Sequence, residues 1–296
     1  MDVELNLIDK KLHFAAAKIE EAIDNELPPP NNMLDEAMRY AALETGGSRI
    51  RPFLFLEVSH ILIKNYNEKD TDKHLYDDML KIAVAIELIH SYSLVHDDLP
   101  ALDNDNYRRG KPALHKKYGS AIAVLAGDAL LGHALGILSR SKFHHITTPQ
   151  KLLITSILAQ ANADMIQGQS VDIILHHRLS KNNEIGRSSV SNLHKKTSAL
   201  FDSTLQCAFV LSKNVPKFTQ QQLRRYMTDF GIFYQLADDL CDCSKWRYSK
   251  KRKLLQSLRG IVNIMGQNIS QDNLQDYYGL LFHLPYYIMH RNNINI

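Results

Sequence analysis

Three observations predict an all-α fold for this 296-residue chain. Strand signals are weak, with little period-2 alternation and no Asn-Gly turn between β-branched runs. Short polar or glycine-containing links separate the apolar stretches. Most importantly, apolar residues recur at helical spacing over long segments, at about 75–98, 118–141, 148–177, 189–213 and 218–243. We therefore predict about ten helices packed around one core.

The first part of the chain contains helix boundaries that can be located from single residues. A helical apolar pattern over 3–24 is followed by three consecutive prolines at 28–30, which end the first helix. A second helix is expected from about Leu34 to the Gly46-Gly47 pair, because glycine commonly follows a helix end. Pro52 then fits the first turn of a third helix.

Composition favours one globular body and excludes several classes of protein. With 45% hydrophobic residues and no low-complexity linker, we expect residues 1–296 to form a single domain. A formal charge of +3 and a pI near 8.6 are too mild to indicate nucleic-acid binding. Three cysteines do not make a disulfide framework, and the N-terminal residues do not resemble a signal peptide. Because Asp128 and His133 interrupt the most apolar stretch, 121–138, we expect no membrane span and a cytoplasmic location.

A cluster of carboxylates follows the apolar stretch at 75–98. Asp97 and Asp98 end this stretch, Asp103 lies a few residues further on, and the pair Arg108-Arg109 follows. Several carboxylates at the end of a buried helix repel one another unless a cation neutralises them. Mg²⁺ prefers a few carboxylates together with phosphate oxygens and water, and arginines suit a polyanion that arrives with the metal. The segment predicts a site for Mg²⁺ and a diphosphate.

A second group of carboxylates, Asp238, Asp239 and Asp242, lies in another apolar helical stretch. Asp238 and Asp242 are four residues apart, so both project from one helix face. In the first cluster, Pro100 ends or kinks the helix and lets the chain bring Asp103 back towards Asp97. A single Asp-Asp pair is more typical of a solvated helix face or a helix cap, but two pairs within apolar helices favour metal binding.

These residues carry a resemblance to the trans-isoprenyl diphosphate synthase family, over about residues 40–245, with 246–296 divergent. The similarity is strongest to the bacterial short-chain members that make farnesyl diphosphate. The matching motifs are Gly46-Gly47-Ser48-Arg49-Ile50-Arg51-Pro52, His90 to Asp98, Arg108-Arg109-Gly110, Leu125 to Leu131, Gly168-Gln169 with Asp172, Lys196-Thr197, and Tyr234 to Asp242.

The resemblance implies an all-α helical bundle around a deep central cavity, a homodimer, and a Mg²⁺-dependent reaction. Such enzymes join isopentenyl diphosphate to an allylic diphosphate, with three Mg²⁺ ions bound alongside the allylic substrate. The carboxylates carried over by position are the metal ligands Asp97, Asp103 and Asp238, supported by Asp98, Asp239 and Asp242. Substrate contacts carried over in the same way are Arg108 and Lys196 for the allylic diphosphate, Arg51, His90 and Arg109 for isopentenyl diphosphate, and Thr197 and Gln235 near the cation.

Chain length is expected to depend on Tyr92. It lies five residues before Asp97, so on one helix it points more than a turn below the metal site and blocks an elongating tail. Ser93 beside it is small, and an insertion containing Pro100 is typical of bacterial synthases that stop at C15. Tyr92 could instead be an ordinary core residue.

Two departures from the family pattern leave alternatives open. Ser48 stands where the family has a lysine, and residues 243–266 replace an expected glycine–lysine loop with a basic segment, the next helix being expected from about Gly260. These changes favour a weakly active or regulatory subunit, whereas the intact aspartate motifs favour an active synthase making C15, or a geranyl or geranylgeranyl product. Terpene cyclisation is disfavoured because Arg51, His90 and Arg109 are retained.

Overall fold

The computed structural model describes residues 2–67, 72–182, 189–242, 248–270, 275–292 and 294. Within these residues the chain is almost entirely helical, which confirms the predicted fold class. The helices are α1 (Asp2–Glu26), α2 (Met33–Arg39), α3 (Ile50–Tyr66), α4 (Lys73–Asp97), α5 (Leu114–Tyr118), α6 (Ser120–Arg140), α7 (Thr148–Asn182), α8 (Ser189–Leu211), α9 (Lys217–Asp242), α10 (Tyr248–Ser270) and α11 (Gln275–Arg291).

Helix α4 is the centre of the core. Its residues from Ile82 to Ile86 are completely buried, because α4 packs against α6 on one side and against α3 and α1 on others. Helix α8 packs against α7, α9 and α3, and Phe201 of α8 meets Phe230 of α9 edge to face at 5.2 Å. Burial of each such phenylalanine side chain contributes about 1.5–3 kcal/mol to the stability of the folded state. Packing on all sides fixes α4, and with it the position of its last residues.

The corner between α2 and α3 follows from local signals. Asn32 caps α2 by accepting hydrogen bonds from the backbone N–H groups of Leu34 and Asp35. A π-helical turn, Tyr40–Glu44, extends α2, and the chain leaves it at Gly46 with a φ of +71°. Helix α3 then begins with Pro52 in its first turn. The predicted boundaries at 34, 46 and 52 are confirmed.

One local element that the sequence analysis did not predict is a small antiparallel hairpin. Tyr107–Arg108 pairs in it with Lys111–Pro112. Its turn has positive φ at both Arg109 and Gly110, +52° and +79°, and such turns are usually Asn-Gly. Arg109 takes the first position, so the usual hairpin signal is missing.

Helix α10 corrects the expected helix start at Gly260. The helix begins at Tyr248, because Leu258, Val262 and Met265 already form a buried stripe at helical spacing and Leu254 packs against the same core. Residues 243–247, at the start of the basic segment 243–266, lie outside the described residues, and so do the side chains of Lys250, Lys251 and Lys253.

Two helices within the described ranges are long and apolar enough to cross a membrane by length and composition alone. In α4, 67% of the apolar window is buried inside the protein, as expected of a core helix. In α6 the buried share is only 39%, so much of this apolar helix is open to its surroundings.

Candidate active site

A single cavity of about 1260 Å³ contains most of the predicted site residues. Helices α3, α4, α7, α9 and α11 and the segment from Leu102 to Arg109 contribute to its wall. Ligand pockets commonly measure 300–1,000 Å³, so this cavity has room for two substrates. The predicted residues that line it are Asp97, Asp103, Asp238, Arg51, Arg108, Arg109, His90, Gln235, Tyr92 and Ser93.

The first aspartate cluster is held by a tight return of the chain after α4. The helix ends at Asp97, and the backbone N–H of Asp103 donates to the carbonyl oxygen of Asp97 at 2.9 Å. A second hydrogen bond joins the N–H of Asn104 to the carbonyl of Leu99 at 3.1 Å. Both Asp97 and Asp103 therefore line the cavity, although they are six positions apart in the sequence.

Asp98 contacts Arg108. Its carboxylate is only 3% exposed and accepts hydrogen bonds from the Nε and a terminal nitrogen of Arg108. Burial raises the pKa of the Asp98 carboxyl, and Arg108 opposes that shift. Burial also disfavours the charged form of Arg108, yet its bond to Asp98 and the nearby carboxylates raise its pKa, so the guanidinium stays protonated. Asp98 thus holds a charged arginine at the cavity wall.

Arg51 and His90 form a second basic pair in the cavity. A terminal nitrogen of Arg51 lies 3.2 Å from Nε2 of His90. Since arginine only donates, His90 accepts through Nε2 and carries its proton on Nδ1. Burial, followed by the charges of Arg51 and Arg109, lowers the pKa of His90 well below its ordinary value. His90 is therefore neutral, and the positive charge resides on the arginines.

Arg109 reaches the cavity across Gly47. Its guanidinium donates to the carbonyl oxygen of Gly46. A Cβ atom at Gly47 would lie 2.5 Å from a terminal nitrogen of Arg109, so a larger residue would require the guanidinium to shift from this position. The Gly46-Gly47 pair thus ends the α2 segment and admits a cation to the site.

The second aspartate motif lies on one face of α9. Tyr234, Gln235, Asp238 and Cys241 line the cavity, at the spacing expected of a helix face. Helix α9 ends at Asp242, but the side chains of Asp239 and Asp242 lie outside the described residues. The same holds for Lys196 and Thr197, whose backbone belongs to α8.

Apolar side chains line the same cavity. Met165, Ile166, Ile173 and Ile174 of α7 are among them, and Tyr92 lies more than one helical turn before Asp97 on α4. Charged groups and an apolar pocket are therefore present in one cavity, as an amphiphilic substrate requires.

The carboxylates fit Mg²⁺ bound together with a diphosphate. Across the part of the chain that is described, no three His, Cys, Asp or Glu side chains lie close enough to hold an ion by themselves. Mg²⁺ is usually bound by one or two carboxylates and completes its shell with phosphate oxygens and water. Asp97, Asp103 and Asp238 supply such carboxylates. Buried Nε of Arg51 has no hydrogen-bond partner among the described residues, which fits an absent anion.

Several cavity residues were not assigned a role from sequence, among them Tyr234, Gln169 and Arg291. The Tyr234 hydroxyl lies 3.3 Å from Oγ of Ser48, the residue that stands where the family has lysine. The Tyr234 ring lies 5.6 Å from the Arg51 guanidinium. Gln169, part of a quoted motif, lines the cavity without an assigned role. Arg291, at the end of α11, lines it as well. A basic residue in a last helical turn is common, so its sequence alone did not indicate a site.

An all-helical body whose cavity is lined by carboxylates, arginines and apolar side chains defines a class of enzymes that act on apolar diphosphates. The sequence model of the polyprenyl synthetase family matches residues 31–259. The chain belongs to this family, which confirms the resemblance.

Individual relatives support this membership. The farnesyl diphosphate synthase of Haemophilus influenzae is 40% identical over 247 residues, covering 81% of this chain and 75% of the relative. That of Buchnera aphidicola subsp. Schizaphis graminum is 31% identical and covers 100% of this chain and 93% of the relative. The crystal structure of a geranyltransferase from Legionella pneumophila superposes with a TM-score of 0.81 at 27% identity, covering 99% of this chain and 98% of that one.

Proposed function

We propose that this chain is a short-chain prenyl diphosphate synthase that joins isopentenyl diphosphate head to tail to dimethylallyl or geranyl diphosphate. The observation that carries the proposal is the cavity, which is lined by residues of both aspartate motifs, four arginines and several apolar side chains. Bacterial relatives named farnesyl diphosphate synthase, at 30–40% identity, support the same activity.

The allylic substrate occupies the side of the cavity with the two aspartate motifs. Mg²⁺ bound by Asp97, Asp103 and Asp238 would stabilise the negative charge of the departing diphosphate. Arg108, held by Asp98, adds a fixed positive charge at the same place without having to reorganise during the reaction. As the allylic C–O bond breaks, its electron pair leaves with the diphosphate.

Isopentenyl diphosphate occupies the basic side of the cavity. Arg51 and Arg109 supply charge there, and neutral His90 holds Arg51 in place. The isopentenyl double bond forms the new C–C bond to the allylic cation, and a proton is then lost to the departed diphosphate. Gln235 directs its amide dipole towards the cation, and the apolar wall excludes water that would trap it. Lys196, Thr197, Asp239 and Asp242 keep their proposed roles in substrate and metal binding.

The product we propose is farnesyl diphosphate, C15. Tyr92 lies among the residues that line the cavity, and Ser93 beside it leaves space for an intermediate tail. A geranylgeranyl product would need a deeper pocket, which the Tyr92 ring obstructs.

The first test is an assay with labelled isopentenyl diphosphate and either dimethylallyl or geranyl diphosphate, with product length read by chromatography. We expect a C15 product that requires Mg²⁺ and disappears when EDTA removes the metal, since Mg²⁺ is needed to stabilise the leaving group. If the folded protein makes no product from either primer yet binds diphosphate with Mg²⁺, the regulatory-subunit alternative replaces this proposal. Ser48 and the changed 243–266 segment are the features that favour that alternative.

We also propose a single domain over 1–296 and a homodimer. Helices α6 and α7 expose large apolar side chains, among them Leu125 at 52% and Leu152 at 72%. Apolar groups of this kind on neighbouring helices are typical of an interface. Light scattering should give twice the 33.8 kDa mass of one chain.

Leu152→Asp should shift this mass towards the monomer because it introduces a charge at the interface. Leu7→Asp on α1, where the leucine is similarly exposed at 56%, is the matched control and should remain dimeric. A monomeric parent protein at micromolar concentration would contradict the dimer.

A further inference from the structure

The Tyr92 ring is held at two points by residues from other parts of the fold. Its hydroxyl donates a hydrogen bond to Oδ1 of Asn162 on α7. Its ring meets the ring of His96 edge to face, with centroids 5.7 Å apart and planes at 84°. Burial, together with the charge of Asp97, raises the pKa of Tyr92 to about 12, so the hydroxyl stays a donor at neutral pH.

His96 is itself fixed between α4 and α6. Its Nε2 lies 3.1 Å from the carbonyl oxygen of Val124. The ring occupies the space above Gly127, where a Cβ atom would come within 2.1 Å of Nε2. One side of the Tyr92 ring therefore contacts a histidine that is bonded to the α6 backbone. The hydroxyl end of the Tyr92 ring is held by its hydrogen bond to Asn162.

Asn162 acts on Tyr92 from outside the cavity. Among the described residues, Tyr92 and Met165 line the cavity and Asn162 does not. Met165 lies three residues after Asn162 on α7, so both are on the same helix face. Asn162 therefore contacts Tyr92 without itself lining the cavity. A growing prenyl tail would press on the ring, and the bond to Asn162 resists its rotation.

We propose that Asn162 is a positioning residue that holds Tyr92 across the end of the cavity and thereby sets product length. This inference rests on the proposed synthase function. An aromatic side chain has few alternative rotamers, so loss of the hydroxyl anchor converts one blocked state into a mixture of blocked and open states. The fraction of open states determines how much product grows beyond C15.

The test compares product lengths of the parent protein, Asn162→Leu, Asn162→Asp and Tyr92→Phe, with Tyr92→Ala as the reference for a removed ring. Leucine keeps nearly the same volume but has no acceptor. Aspartate keeps an oxygen at the same position. Phenylalanine keeps the ring and loses the donor.

We expect Asn162→Leu and Tyr92→Phe each to raise the ratio of C20 to C15 product about threefold to tenfold, the equivalent of one hydrogen bond. Asn162→Asp should remain close to the parent.

A double variant distinguishes anchoring from general disturbance of the packing. Since both single changes remove the same bond, Asn162→Leu combined with Tyr92→Phe should give no longer product than either alone. If Asn162→Leu keeps the parent product distribution, or if the two effects add, the inference is wrong while the synthase function stands. If Asn162→Leu does not fold, Tyr92→Phe compared with Asn162→Asp decides the same question. A parent protein without any product would overturn the proposed function, and this inference with it.

Discussion

Asp97→Ala is expected to lower kcat/KM for the condensation at least about a hundredfold, the loss typical of removing one group that stabilises transition-state charge. Asp97 is 9% exposed and lines the cavity beside Asp103. Without its carboxylate, the site loses one of the few ligands available to Mg²⁺. Asp238→Ala, on the facing helix α9, should have a similar effect, measured in the same labelled assay.

A control variant and a Mg²⁺ titration test whether the loss of activity comes from the missing metal ligand. Asp164→Asn is the matched control, because Asp164 lies on α7, is bonded to Gln160 and does not line the cavity among the described residues. It should retain parent activity. Higher Mg²⁺ concentration should partly restore Asp97→Ala if its defect is metal affinity. Near-parent activity of both alanine variants at limiting Mg²⁺ would contradict the assignment of these aspartates.

Arg49→Met is expected to lower the free energy of unfolding by about 3–5 kcal/mol, the cost of leaving one member of a buried ion pair without its partner. Arg49 and Glu87 are both 2% exposed, and their nearest nitrogen and oxygen are 2.7 Å apart. Arg49 also donates to the carbonyl oxygen of Ala42 at 2.7 Å. Methionine keeps an unbranched apolar stem, and it tolerates the positive φ of +50° as poorly as arginine does. The loss therefore reports the missing charge together with its hydrogen bonds.

Urea unfolding followed by circular dichroism measures this effect. Adding Glu87→Leu to Arg49→Met should recover much of the lost stability, because no buried charge then remains unpaired. Lys11→Met is the control: its partner Glu57 is on the surface, so we expect a change of about 1 kcal/mol or less. Equal losses for Arg49→Met and Lys11→Met would show that the buried pair contributes no more than an exposed one.

Much of the helical fold could be predicted because its signals are local. The segments predicted at 75–98 and 118–141 correspond to Lys73–Asp97 and Ser120–Arg140, and their apolar spacing alone located them. The errors also have local causes. Arg109 occupies a hairpin position that usually holds asparagine, and the helix that begins at Tyr248 starts with a basic segment whose periodicity is hard to detect.

The site could be predicted in part for a different reason. The aspartates stand at fixed intervals on or just after helices, so the sequence indicates which of them share a face. The sequence could not indicate that Asp98 is bonded to Arg108 while Asp97 lines the main cavity. It also could not indicate that Arg291, almost two hundred residues after Asp97, lines the same cavity.

The sequence by itself determined the helical class, the family and the two aspartate motifs, since each depends on residue type and spacing within one segment. Only the tertiary structure decided the pairs Tyr92–Asn162, Ser48–Tyr234 and Arg51–His90. Each pair joins two helices, or a loop and a helix, that are distant in the chain. Such contacts depend on how the helices pack against one another, and packing is a property of the whole fold.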